Sequence, residues 1–126
     1  MSGQSWDPKN DLVVSPSVQP QSIAAGVVNG VGLDAINISE LGASLLVGAL
    51  TGVSTVDCKV QESTLLASGY QDLVPAVSFV QVVAANPSPA PVINFKRTLR
   101  FVRLVVTVGG TSALVAAEIF GQKKVY

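Results

Sequence analysis

The stretch LRFVRLVVTVGGTSALVAAEIF, residues 99–120, decides the fold class. In its first half, Val102, Leu104, Val106 and Val108 fall on one parity, and Phe101, Arg103, Val105 and Thr107 on the other. Successive side chains of a strand point to opposite faces, so the alternation predicts a strand with one core face and one mixed face. The second half, residues 112–120, is apolar on both parities: Ala113, Val115, Ala117 and Ile119 against Leu114, Ala116 and Phe120. Two apolar faces mean a strand covered on both sides. A small sandwich covers only one side by itself, so a subunit interface is the expected second cover. Between the halves stands Gly109-Gly110. Glycine tolerates positive φ, and the pair predicts a tight hairpin joining two long strands.

Upstream, β-formers and turn residues recur at short spacing, which predicts further strands at residues 23–28, 32–38, 44–50, 53–62, 70–73, 77–83 and 92–95. Asn29-Gly30 predicts a second hairpin. Pro87, Pro89 and Pro91 predict a loop, because proline cannot donate to a ladder. In residues 53–62, Val56, Cys58 and Val60 share one face, and Asp57, Lys59 and Gln61 share the other. That is a half-buried antiparallel strand with Cys58 at a core position, where free cysteine behaves as a small hydrophobe. Residues 43–50 repeat the two-sided apolar character. A helix over 38–50 is the alternative there, opposed by Gly42 and Gly48.

The expected architecture is all-β: an antiparallel β-sandwich, jelly-roll or Ig-like, of about eight strands over residues 23–126. Residues 1–22 form an extended N-terminal arm. Pro8, Pro16 and Pro20 keep that arm from becoming a regular helix or a central strand. Trp6, Val13, Val14 and Val18 give it apolar anchors with which to lie on a neighbouring subunit.

Composition narrows the function. A chain of 126 residues makes one domain with an independent core. Only 13% of residues are charged, and eight bases cancel eight acids, so the chain is neither disordered nor a globally basic nucleic-acid binder. There is no histidine, and Cys58 is the single cysteine. Cys/His zinc sites, His-based triads, Cys–His dyads and internal disulfides are excluded. The glycines lack phosphate-loop spacing, and the acids lack calcium-loop spacing. Asp57, Lys59 and Glu62 read as charges on an exposed strand face, serving solubility rather than acid–base chemistry. Neither an enzyme nor a cofactor or metal is expected. The charge-free segments 12–33 and 73–95 are interrupted by prolines, so no membrane span is expected. The first residues lack a basic stretch followed by an apolar one, and a lone cysteine suits a reducing compartment. Cytoplasmic synthesis is the expectation.

Charge is divided along the chain. Residues 1–95 carry two bases against seven acids, a net of −5, and residues 96–126 carry six bases against Glu118, a net of +5. Such a layout registers one copy against another, or against an acidic partner. Lys96, Arg97, Arg100 and Arg103 are the candidate basic contacts, with Lys96 and Arg100 on one strand face and Arg97 and Arg103 on the other. No aromatic platform accompanies them, as single-strand binders would show, so no nucleic-acid partner is expected.

Three runs carry a resemblance: Val56-Asp57-Cys58-Lys59-Val60-Gln61-Glu62-Ser63, then Gly69-Tyr70-Gln71-Asp72-Leu73, then residues 99–108 with Gly109-Gly110-Thr111 and the closing Ala117-Glu118-Ile119-Phe120-Gly121. Together they resemble small β-sandwich virion proteins encoded in the head-gene region of tailed bacteriophages, over residues 23–122. The family's Asp-Gly turn after Glu62-Ser63 is replaced here by Thr64-Leu65-Leu66-Ala67-Ser68-Gly69. The resemblance implies a capsid decoration (cement) protein that binds and stabilises the assembled phage head. Its partner would be the major capsid protein, its own state a homo-oligomer with a trimer favoured, and its location the virion surface after assembly in the host cytoplasm. The ending is also similar to sugar-binding discoidin-like jelly rolls. A carbohydrate-binding module of a tail or fibre is therefore the alternative, as is a head–tail connector or tail subunit. A sugar module would want exposed aromatics, for which Trp6, Tyr70 and Tyr126 are the candidates.

Overall fold

The computed structural model describes residues 7–87 and 89–124. A single helical turn, α1 (Pro8–Asp11), leads into β1 (Leu12–Asn29), β2 (Leu33–Asp34), β3 (Ile38–Val47) and β4 (Thr55–Ser63). The chain continues through β5 (Gln71–Asp72), β6 (Val82–Val83), β7 (Val92–Phe95) and β8 (Phe101–Lys123). All eight strands belong to one antiparallel sheet.

β8 organises that sheet. β1 runs along one of its edges from Leu12↔Gln122 to Asn29↔Val105, and β2 continues the same edge at Leu33↔Val102. The other edge is shared between two strands. β4 pairs from Ser63↔Phe101 to Thr55↔Gly109, and β3 from Val47↔Val115 to Ile38↔Lys123. β7 flanks β3, while β5 and β6 flank β4.

Gly109-Gly110 is therefore not the expected hairpin; one strand passes through it. Ala24 pairs with Ser112 and Gly26 with Val108, so Ala25 alone stands opposite Gly109, Gly110 and Thr111. Extra residues on one strand of a pair bend it and increase its twist. Gly110 supplies the backbone for the bend at φ 84°, a left-handed conformation open mainly to glycine. The β1–β8 ribbon doubles over at this corner, and its two halves meet again at the opposite end. There the Leu104 N–H donates to Ser17 Oγ at 3.0 Å, and Ser17 Oγ donates to the Val31 carbonyl at 3.0 Å. The Val31 N–H in turn donates to the Ser17 carbonyl at 2.7 Å. Ser17 is free for this role because it is an extra residue between Pro16↔Glu118 and Val18↔Ala117.

Asn29-Gly30 does not make a hairpin either. β1 and β2 lie end to end on β8, and the Gly30 N–H donates to the Leu104 carbonyl at 2.7 Å. A Cβ on Gly30 would strike Ser17 Oγ and come within 2.6 Å of the Leu104 oxygen. Close approach, not turn geometry, requires glycine there.

The doubled sheet encloses one core. Val102, Leu104, Val106 and Val108 enter it from the first half of β8, and Ala113, Val115, Ala117 and Ile119 from the second. Val56, Cys58 and Val60 join from β4. The division expected at residues 22/23 falls inside β1, whose Val18 is 2% exposed. Pro16 and Pro20 are accommodated because β1 has only β8 as a neighbour, and an edge strand tolerates missing donors. Residues 38–47 are a strand rather than the alternative helix. Among the described residues, no helix is long and apolar enough to cross a membrane.

Cys58 occupies the core position that its parity predicts, and burial pushes its thiol pKa up to about 12. The thiolate is the reactive species, so thiol reagents are expected to label Cys58 only after unfolding. Rapid stoichiometric labelling of the native protein would contradict this placement. Cys58→Ser puts a hydroxyl in an apolar site and should cost about 1–3 kcal/mol in chemical denaturation.

Candidate assembly surface

The outer face of the β1–β8–β3–β7 half carries exposed aliphatic side chains, interrupted by Glu118, Ser44 and Asn94, where antiparallel sheets normally turn polar side chains to water. Its rows follow from register. Phe120 lies between Val14 and Gly42, Glu118 between Pro16 and Ser44, and Ala116 beside Leu46. Leu46 is 64% exposed, Leu114 60%, Val92 55% and Val14 49%. Both parities of residues 112–120 are apolar because one lines the core and the other this uncovered face.

A groove of about 620 Å³ lies at one end of the face. Leu46, Leu114 and Ala116 line its floor, with Pro20 and Gln21 on one side and the loop bearing Pro87 and Pro91 on the other. The one charge in rows 114–120 is Glu118, whose Oε1 accepts from Ser44 Oγ at 3.2 Å. A surface of this kind binds by excluding water from aliphatic side chains.

The residues anticipated as an interface are scattered. Val18 lies in the core and Val13 packs against it; only Val14 of the three valines faces outward. Trp6 and Tyr126 lie outside the described residues. Lys96, Arg97 and Arg100 sit in the connection before β8, not on a strand face, because β8 begins at Phe101. Arg100 grips Asp34 through Nε–Oδ1 at 2.9 Å and Nη2–Oδ2 at 2.7 Å. Its hydrogen bond holds the Asp34 carboxyl below the usual carboxylate value. Arg103 donates twice to Gln61 Oε1, at 3.0 and 2.8 Å, and its guanidinium lies 4.2 Å from the Tyr70 ring centre. Arg97 Nη1 donates to the Leu99 carbonyl at 3.2 Å. Lys96 is exposed, beside Glu40 and Asn94 in a second, polar depression. Arg97 lines the same depression as Lys96, whereas Arg100 and Arg103 lie elsewhere, so the four do not converge on one position. Part of the charge division along the chain is pairing within the fold, as Arg100 and Asp34 show.

Glu62 corrects the exposed-face reading. It is 3% exposed. Its Oε1 accepts from the Thr98 and Leu99 N–H groups at 2.8 and 3.0 Å, and its Oε2 from Thr98 Oγ1 at 2.8 Å. Burial raises the carboxyl pKa; the Leu99 and Thr98 donors, with the nearby Arg97 charge, outweigh it and hold the pKa below its ordinary value. The signal was in the sequence: position 62 shares parity with Val56, Cys58 and Val60. Its role is to fix the 96–100 connection.

No protein-family model matches this chain, and no curated protein matches it.

Proposed function

We propose that the chain is a virion structural protein: a capsid decoration (cement) protein that docks on the assembled head of a tailed bacteriophage and stabilises it. The observation that carries this reading is the uncovered apolar face around Leu46, Leu114 and Val92. Burying apolar surface contributes about 25 cal/mol per Å², so a face of this kind can hold particles together without catalytic groups. The phage assignment itself rests on the three runs of sequence resemblance. The finer fold belongs to the same proposal: the doubled sheet is a β-sandwich of jelly-roll or Ig-like type. The major capsid protein is the partner, and exposed Lys96, Lys123 and Lys124 suit an acidic surface on it.

The assembly reading is favoured over a sugar module by the state of Tyr70. Its ring is covered by Arg103, and its hydroxyl donates to the Leu66 carbonyl at 2.7 Å, so it offers no free stacking platform. Electron cryomicroscopy of particles carrying the chain tests the proposal. Density for the sandwich on the outer capsid lattice is expected. Density at the neck or tail alone, or none, would overturn it.

A further inference from the structure

We propose that Asn29-Gly30 is a latent deamidation site: the native fold holds it shut, and its reaction in the opened chain bars return to the native state. Of the chain's asparagines, Asn29 alone precedes glycine; the others precede Asp11, Ile38, Pro87 and Phe95. Glycine has no Cβ to hinder its own nitrogen. In a free chain the Gly30 nitrogen gives its proton to hydroxide and bonds to the Asn29 Cγ, and the side-chain amide leaves as ammonia. The product is a five-membered succinimide, which water opens in either of two ways. Cleavage of the nitrogen–Cγ bond gives aspartate. Cleavage of the bond to the main-chain carbonyl carbon gives isoaspartate, whose backbone runs through the side chain and is one atom longer.

The fold blocks the first step at both reacting groups. The Gly30 N–H donates to the Leu104 carbonyl at 2.7 Å, so the nucleophile keeps its proton engaged. Asn29 ends β1 opposite Val105, and that pairing holds its backbone extended, whereas closing the ring requires ψ to leave the extended range. The next N–H, of Val31, donates to the Ser17 carbonyl at 2.7 Å and fixes the chain beyond the glycine. The glycine itself is imposed by packing, since a Cβ at residue 30 would lie 2.6 Å from the Leu104 oxygen. The contact that demands the reactive dipeptide therefore also shields it. An isoaspartate at this position would push Gly30 and Val31 out of register with Leu104 and Ser17 together. Aspartate keeps the backbone length, and the Asn29 side chain is exposed, so that product fits the native fold.

Peptide mass spectrometry on the full chain tests the proposal, with samples held in mildly alkaline buffer in the presence and absence of guanidinium. Reaction follows the opened population, so conversion at Asn29 should be more than about tenfold slower in the folded protein than in the denatured one. Diluted from denaturant after increasing times, the chain should lose refolding in step with isoaspartate formation, a chemical route to irreversible unfolding. Asn29→Gln, which would have to close a larger ring, should go on refolding after the same treatment. Asn29→Asp should fold with the parent's circular dichroism spectrum and denaturation midpoint, which assigns the lost refolding to the lengthened backbone rather than to the new charge. Equal rates in the folded and denatured chains would overturn the shielding. Loss of refolding by Asn29→Gln as fast as by the parent would overturn the assignment to this dipeptide.

Discussion

Replacing Glu62 with alanine is expected to destabilise the protein by about 3–5 kcal/mol, the range for removing one partner of a buried, charge-assisted network. Three donors lose their acceptor at once: the Thr98 and Leu99 N–H groups and the Thr98 hydroxyl. The connection from residue 96 to 100 loses its anchor on β4, and the entry into β8 loosens. Chemical denaturation of the variant and the parent measures the difference. Glu62→Gln keeps the size and one acceptor oxygen, so its loss should be smaller. The same carboxylate shapes the response to acid. Its folded pKa lies below the ordinary 4.5, so its stabilisation is present above that value and fades as pH falls through the lower folded pKa. A stability–pH curve should therefore decline below about 4.5, and less steeply for Glu62→Gln. A loss under 1 kcal/mol for Glu62→Ala would show that the buried carboxylate is not what holds the 96–100 connection.

Gly110→Val is the second large effect. At φ 84° a β-branched residue is strained, and a Cβ there would lie 2.8 Å from the Ser54 Cα and 3.0 Å from the Ser54 nitrogen and the Val53 oxygen. Those neighbours are backbone, so neither partner can rotate away. Strain of about 1–3 kcal/mol and overpacking of similar size should together cost about 3 kcal/mol or more. Gly52→Ala is the control. Gly52 also has positive φ, at 60°, but a Cβ would meet nothing within 4 Å. It should cost only the left-handed penalty of about 1–2 kcal/mol. Equal melting-temperature losses for the two substitutions would show that close packing at the corner contributes nothing.

The same corner shows what the sequence left ambiguous. Two glycines between two apolar runs specify a bend, but not whether the runs then pair with each other. That choice is made by distant strands. β4 and β3 each claim half of one edge of β8, and β1 with β2 takes the other, so no edge remains for the two halves to pair. Asn29-Gly30 was ambiguous in the same way: its glycine meets a packing constraint from Ser17 that no local window contains. Alternation was reliable where it was strict. Val56, Cys58, Val60, Val102, Leu104, Val106 and Val108 all entered the core by parity. Glu62 obeys the same parity, but a buried carboxylate needs donors, and its three lie 36 or 37 positions away. The apolar outer face was legible as a strand apolar on both sides. The scattering of the basic residues was not, because Asp34, Gln61 and Tyr70 reach Arg100 and Arg103 only through tertiary pairing.

Residues 101–123 form one strand doubled over at Gly110, and the outer face is built on its second half. Nuclear Overhauser contacts from Val106 decide it most directly. The doubled ribbon predicts cross-strand contacts of Val106 with Cys58 on one side and Val28 on the other, together with a contact between the Ser17 side chain and the Leu104 amide. Regular cross-strand contacts pairing Val106 with Ala113 and Leu104 with Val115, in place of those to Cys58 and Val28, would show a hairpin at Gly109-Gly110 and contradict the fold.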